Sequence, residues 1–318
     1  MAPSKSSAID VIRISSASAI RNSFRDRTVI LLAVMFIIMV LVSAYLGWSA
    51  TNTVNHIYDA AVPAMKAQGL APAANPVGEM PPLSLFRNMV TYVALLGGLA
   101  ALVLGHQVIA VDRKSGVMPL LLSRPVSRVE LAVGKITAVA VTIACLLGIA
   151  AAINLLTMLL LPNLAVNGAV VSGIAKFYAV SMLYMLAFSL LGAACAAFCK
   201  TESMALLVPV TIWLALTFIV PQVTSNIGPM AALNPLSANL VQPDGIFFNV
   251  TSTLLGPLSI AEAYRYLAST ILEVLSGAGT TTTMTGALTS LIIANIAMAF
   301  AVILAMHRLD ANRSDYND

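Results

Sequence analysis

Six stretches of this chain run for 16 to 26 residues without an Asp, Glu, Lys or Arg. A bilayer core of about 30 Å is crossed by roughly 20 apolar residues in a helix. The stretches, about Thr28 to Ala50, Asn88 to Val111, Ile136 to Leu161, Phe177 to Cys199, Ala205 to Val220 and Gly286 to Met306, therefore predict six transmembrane helices. The fifth is the shortest and holds Pro209, read as a kink near its start because neighbouring helices satisfy the freed carbonyl. Composition closes the soluble alternative: 59% of the residues are hydrophobic and 9% charged, against about 25% charged for a typical soluble domain. The excess of basic over acidic residues is only four. Spread along an apolar chain, it excludes a nucleic-acid partner.

Lysine and arginine positions orient the spans. Thirteen of them, Lys5, Arg13, Arg21, Arg25, Arg27, Arg113, Lys114, Arg124, Arg128, Lys135, Lys200, Arg308 and Arg313, fall on the side of both termini. Only Lys66, Arg87, Lys176 and Arg265 fall on the other. The termini are predicted cytoplasmic, in a plasma or inner membrane, with loops 51–86, 162–176 and 221–285 facing outward. Residues 1–27 precede a single six-span domain, 28–318. The first apolar run is too long for a secretory signal. Before it, Ile9, Ile12, Ala19, Ile20 and Phe24 alternate with basic residues, which fits an amphipathic interfacial helix or an ordinary basic flank.

The first outward loop, with Pro63, Gly69, Pro72, Pro76, Gly78, Pro81 and Pro82, predicts an irregular excursion. Between spans 5 and 6, Asn234-Pro235, then Ile246 to Ala261 broken at Gly256-Pro257, then Glu262 to Leu275 form apolar pieces too short to span. They predict short outer or re-entrant helices. Thr280 to Thr283 form a polar connector.

The cytoplasmic loop 112–135 carries the most specific pattern. Asp112, Arg113 and Lys114 precede Gly116, Pro119 fits a first helical turn, and Leu120, Leu121 and Leu122 form an apolar tip that something should cover. Arg124-Pro125 is a hinge. Ser127 with Glu130 three residues on is a capping box that starts a new helix, and Arg128, Gly134 and Lys135 follow. The segment reads as a rigid basic elbow between spans 2 and 3.

This elbow, from Gly116 through Leu-Leu-Leu-Ser-Arg-Pro-Val-Ser-Arg to Glu130-Leu131 and Gly134-Lys135, resembles the loop after the second span in ABC-2 type permeases. The likeness is strongest to those of copper-enzyme (nitrous-oxide reductase) maturation systems. The basic N-terminus, the six spans and the broken segment between spans 5 and 6 extend the resemblance along nearly the whole chain. The chain departs from the family pattern at Asp112, usually Glu, at Val117-Met118, and at Pro119. The resemblance implies an all-α permease, with the elbow docking into a separate ATP-binding subunit and relaying its motion. No catalytic or cofactor-binding residue is expected here; ATP and Mg belong to that partner.

The chain itself has no phosphate loop: its one Gly-Lys, Gly134-Lys135, is followed by Ile136 and has Val129 at the first-glycine position. Six spans are half of a typical exporter, so two copies are expected with two ATPase subunits, and an extracytoplasmic protein is a further candidate partner. Small residues four apart, Gly97, Ala101 and Gly105 in span 2 and Ala140, Ala144, Gly148 and Ala152 in span 3, mark close helix packing within one copy or between two. Asn154, Tyr178, Ser181, Tyr184, Ser189, Thr217 and Asn295 are polar groups inside spans that either line a path or bond helix to helix. No Asp, Glu, Lys or Arg lies near a span centre, which disfavours an ion-coupled carrier. Cys195 and Cys199 share a helix face and are candidates for soft-metal ligation; packing is the competing account, and no metal site is assigned. Alternatives to the permease are a force-transmitting scaffold and an ATP-independent channel.

Overall fold

The computed structural model describes residues 8–72, 74–123, 126–161, 166–228, 231, 245–274, 283–309 and 316. The chain is all-helical, with 87% helix and no strand among the described residues. Six helices are long and apolar enough to cross a membrane: span 1, Arg27–Ala67; span 2, Pro82–Lys114; span 3, Arg128–Leu159; span 4, Gly168–Phe198; span 5, Glu202–Ser225; and span 6, Met284–Arg308.

Local chemistry sets where these helices begin. Asp26, Asn167, Thr201 and Thr283 each accept a backbone N–H of the first turn through a side-chain oxygen, satisfying a donor the helix cannot pair internally. Span 3 opens on the Ser127–Glu130 capping box, with Ser127 Oγ 3.1 Å from the Glu130 amide and Glu130 Oε2 3.2 Å from the Ser127 amide. Span 1 is longer than its apolar run. It continues through Pro63 to Ala67, so the start of loop 51–86 is helical rather than irregular. Thr51 and Thr53 turn their hydroxyls back onto the Gly47 and Ser49 carbonyls, at 3.0 and 2.9 Å, and so remain inside the helix.

Spans 2 and 4 form the inner pair: 72% and 67% of their most apolar stretches are buried, against 17 to 39% in the other four. Glycine makes their contact possible. A Cβ on Gly105 would sit 1.7 Å from the Ser189 carbonyl oxygen, and one on Gly192 2.2 Å from that of Leu102. The Gly97, Ala101, Gly105 stripe is thus a seam within one subunit. The span 3 stripe is different: Ala144, Gly148 and Ala152 are exposed, and Gly148 has open space where a Cβ would go.

The N-terminal helix, Ala8–Ser23, precedes span 1 and packs on the start of span 3. Beyond span 5, helices Ile246–Leu255 and Ile260–Ile271, called the outer and re-entrant helices after the sequence expectation, are joined through a 3-10 turn and bent by 81°, the shape of a broken span or a re-entrant loop. Asn234-Pro235 and Thr280 to Thr282 lie outside the described residues. Arg128, at the start of span 3, meets the His307 carbonyl at the end of span 6. The N-terminal helix, the elbow and the end of span 6 therefore share one side of the molecule, the elbow side.

Candidate functional site: the elbow and the tyrosine centre

The elbow begins where span 2 ends. Gly116 takes a left-handed conformation, φ +67°, which glycine adopts without the steric cost of a Cβ, and the chain reverses into the elbow helix, Val117–Leu122. Successive side chains on a helix point about 100° apart, so three consecutive leucines cannot form one exposed tip. Leu120 is 65% exposed, while Leu121 and Leu122 are half-buried against the core and Met118 is buried beneath them. Arg124 and Pro125 lie outside the described residues.

The charged residues of the elbow turn inward as ties. Lys135 of span 3 forms an ion pair with Asp112 of span 2 and donates to the Val108 carbonyl at 2.9 Å. Both side chains are nearly closed to solvent. Arg113 Nη1 donates to the Ala196 and Cys199 carbonyls, 2.6 and 2.7 Å away, at the end of span 4. Tyr316 covers that guanidinium, its ring centre 3.9 Å from Arg113 Cζ, and its hydroxyl also donates to Ala196 O. Burial pushes the Tyr316 phenol up to about 12, so it stays protonated at neutral pH. Lys114 pairs with Glu202 at the start of span 5, 2.9 Å apart. Arg128 donates to His307 O in span 6. Gly134 lies against the N-terminal helix; a Cβ there would come within 2.8 Å of Ser15. Asp112, Arg113, Arg128, Gly134 and Lys135 thus bind the elbow to its own subunit, and Ser127 and Glu130 are consumed by the cap. Among the described apolar residues of the elbow Leu120 is the most exposed, with Val117 and Val129 open to 39 and 40%.

A second centre lies deep in the spans. Tyr184 of span 4 donates to the Ala94 carbonyl at 2.7 Å, and Ala94 belongs to a π-helical turn, Val93–Gly97, in span 2. Thr217 lies in a π-helical turn of span 5, Ala215–Ile219, and with Trp213 it approaches the Tyr184 hydroxyl. Gly98 leaves room for both aromatic groups, since a Cβ there would be 3.0 Å from Trp213 Nε1 and 3.2 Å from Tyr184 Oη. Tyr264 of the re-entrant helix stacks on Tyr184, centroids 4.4 Å apart, and bonds Ser181 at 3.2 Å. π-turns recur at functional sites in helices; here two of them face one tyrosine.

Of the predicted intraspan polar residues, Tyr184, Thr217 and Ser181 belong to this centre. Asn154 donates to Tyr178 Oη at 2.8 Å, and Asn295 donates to Leu183 O and Leu291 O, both at 2.9 Å. Ser189 bonds its own helix at Leu186 O. Tyr264, Glu262 and Arg265 are additions that the sequence reading placed in an outward segment. Glu262 accepts from Thr224 and Ser225 at the end of span 5, and Arg265, 4% exposed, is 3.8 Å from Glu262. Their signal was the i, i+3 pair within an amphipathic run, Ile260 to Ile271. Among the described residues no three His, Cys, Asp or Glu side chains converge as metal ligands. Cys199 and Cys195 are linked here through backbone, the Cys199 amide bonding the Cys195 carbonyl at 2.9 Å.

A multi-pass helical membrane protein with a braced elbow between its second and third spans is what this architecture defines. The family model described as ABC-2 family transporter protein matches residues 16–310, and the chain belongs to that family. The family is a membrane component of ABC transporters, typically paired with an ABC ATPase and generally not catalytic alone. No curated protein matches the chain.

Proposed function

We propose that this chain is the permease subunit of an ATP-driven transporter, acting as a pair of copies with two separate ATPase subunits that bind ATP and Mg. Its elbow is the docking element, with the termini cytoplasmic in a plasma or inner membrane. The observation that carries this reading is the position of Leu120, a 65%-exposed leucine on a short helix whose flanks are tied to spans 3, 4, 5 and 6. A contact so braced passes force from a docked subunit into the bundle. A solvated loop would have no need of it.

The work done is export or extracytoplasmic assembly, and the sequence resemblance favours maturation of a copper enzyme. A scaffold role, in which force reaches an external partner without cargo, is favoured by one feature: the outer helix Ile246–Leu255 buries none of its side chains and presents Ile246, Phe247, Val250 and Leu254 outward.

The test is purification of the chain, tagged at its N-terminus because Tyr316 is seated near the other end. A stoichiometric ATPase carrying a phosphate loop is expected in the wild type. Leu120→Asp should reduce its recovery at least about tenfold, since it places a charge in a desolvated contact. A stable protein that reproducibly purifies without an ATPase, or one whose ATPase is retained undiminished by Leu120→Asp, overturns the docking role.

A further inference from the structure

The end of span 6 and the chain that follows it meet the ends of spans 2, 3 and 4. The His307 carbonyl accepts from Arg128 at the start of span 3. Arg308 sets its guanidinium over Phe198, the last residue of span 4, 5.3 Å from the ring centre. Leu309 beside it is buried. Further on, Tyr316 lies over Arg113 in the last turn of span 2 and bonds Ala196 of span 4.

The place taken by Tyr316 has a specific chemistry. Ala196 is in the last turn of span 4, where carbonyls lack an amide of their own helix to accept. Arg113 Nη1 and Tyr316 Oη both donate to that one oxygen, at 2.6 and 3.1 Å, and a carbonyl has two lone pairs to offer. The phenol ring lies flat enough on the guanidinium to bring its centre 3.9 Å from Arg113 Cζ. An aliphatic side chain would serve neither group. A carboxylate would meet the Ala196 oxygen with no proton to give. A phenol satisfies both, its ring facing the cation and its hydroxyl facing the carbonyl. Arg113 is 3% exposed beneath this cover. Hydrogen bonds strengthen where water is excluded, so the ties of Arg113 to Ala196 and Cys199 depend on the ring above them.

We propose that Arg113 and the Ala196 carbonyl form an intramolecular receptor for the phenol of Tyr316, and that its occupancy sets how firmly the elbow is held. Seated, Tyr316 links the exit of span 6 to the foot of the elbow at span 2, while His307 holds the other foot through Arg128. Its two contacts are each worth about fivefold in an equilibrium. A seat of that strength empties readily, so the footing of the elbow is adjustable. The proposal stands on Arg113, Ala196 and Tyr316, and is independent of whether an ATPase docks at Leu120.

The test is hydrogen exchange of the full-length protein, tagged at its N-terminus, in lipid nanodiscs. Residues 113–123 report on the elbow, and residues 174–190, inside span 4, serve as the control for folding. Tyr316→Ala should speed exchange over the elbow about tenfold and leave the control unchanged. Tyr316→Phe keeps the ring over Arg113 and loses the bond to Ala196, and should speed it about threefold. Arg113→Ala removes the receptor, so adding Tyr316→Ala to it should change the rate by less than about twofold. Elbow exchange that Tyr316→Ala leaves unchanged overturns the proposal. So does a Tyr316→Ala effect that persists in full in the Arg113→Ala background, which would put the action of the phenol elsewhere. A Phe variant as fast as the Ala variant removes the ring from the receptor and overturns it as stated. Equal acceleration of the control would make Tyr316 a general stabiliser and overturn it too.

Discussion

Lys135 reaches from the start of span 3 to Asp112 at the end of span 2, so the two feet of the elbow are joined by a buried ion pair. Removing one member strands the other charge away from water, at about 3 to 5 kcal/mol for a buried pair. Lys135→Met or Asp112→Asn alone should therefore lower the thermal unfolding midpoint in detergent clearly. Lys135→Met with Asp112→Leu should recover most of the loss, because an apolar pair leaves no stranded charge. A double variant as unstable as the singles would show that the pair is not the source of the stability.

The seam of spans 2 and 4 gives a sharper contrast. A methyl at Gly105 or Gly192 would overlap backbone, whereas one at Gly148 meets nothing within 4 Å. Gly105→Ala and Gly192→Ala should each cost about 3 kcal/mol or more by forcing the helices apart. Gly148→Ala should be neutral or slightly stabilising, as expected for alanine in a helix. Thermal unfolding of the three variants side by side decides this, and equal midpoints would remove the seam.

At the tyrosine centre, hydroxyl and ring are separable. Tyr184→Phe removes the donor to Ala94 O and should cost about 1 to 2 kcal/mol. Tyr264→Ala removes a fully buried ring and should cost about 3 to 5 kcal/mol. Tyr264→Phe, which keeps the stack and loses only the Ser181 bond, should behave like Tyr184→Phe. Denaturation midpoints in detergent measure all three, and a Tyr264→Ala variant as stable as Tyr264→Phe would refute the stack.

Arg113 holds two carbonyls at the end of span 4, and Lys200, exposed, follows directly on Cys199. Lysine cannot reproduce the planar fork of a guanidinium. Arg113→Lys and Arg113→Ala should both free this turn, and limited trypsin digestion should cut after Lys200 about tenfold faster than in the wild type. Unchanged cutting would mean that the turn is held by other contacts.

The six spans were legible because hydrophobic length is a one-dimensional property, as was the start of span 3 at Ser127, whose cap needs only Glu130 three residues on. The far extension of span 1 was not, since Thr51, Asn52, Thr53 and Pro63 read as loop, and only the structure shows the threonines bonded into the helix. The elbow was legible as a segment and illegible as a surface. Whether Arg113 or Lys135 faces a partner depends on carbonyls and carboxylates brought up by spans 2 and 4, which no local pattern encodes. Tyr264 was missed for the same reason: its neighbour Tyr184 lies 80 residues away in sequence, and Arg265 beside it looked like an exterior charge.

The two π-turns that flank Tyr184 have a mechanical meaning. Each holds one residue more than an α-turn would, so spans 2 and 5 each carry a residue of slack at the same depth. Drawing that residue into α register lengthens a span by about 1.5 Å and rotates everything beyond it by about 100°. The helix stays whole throughout. Tyr184 is placed where the slack of both spans is stored, with the re-entrant helix resting on it through Tyr264.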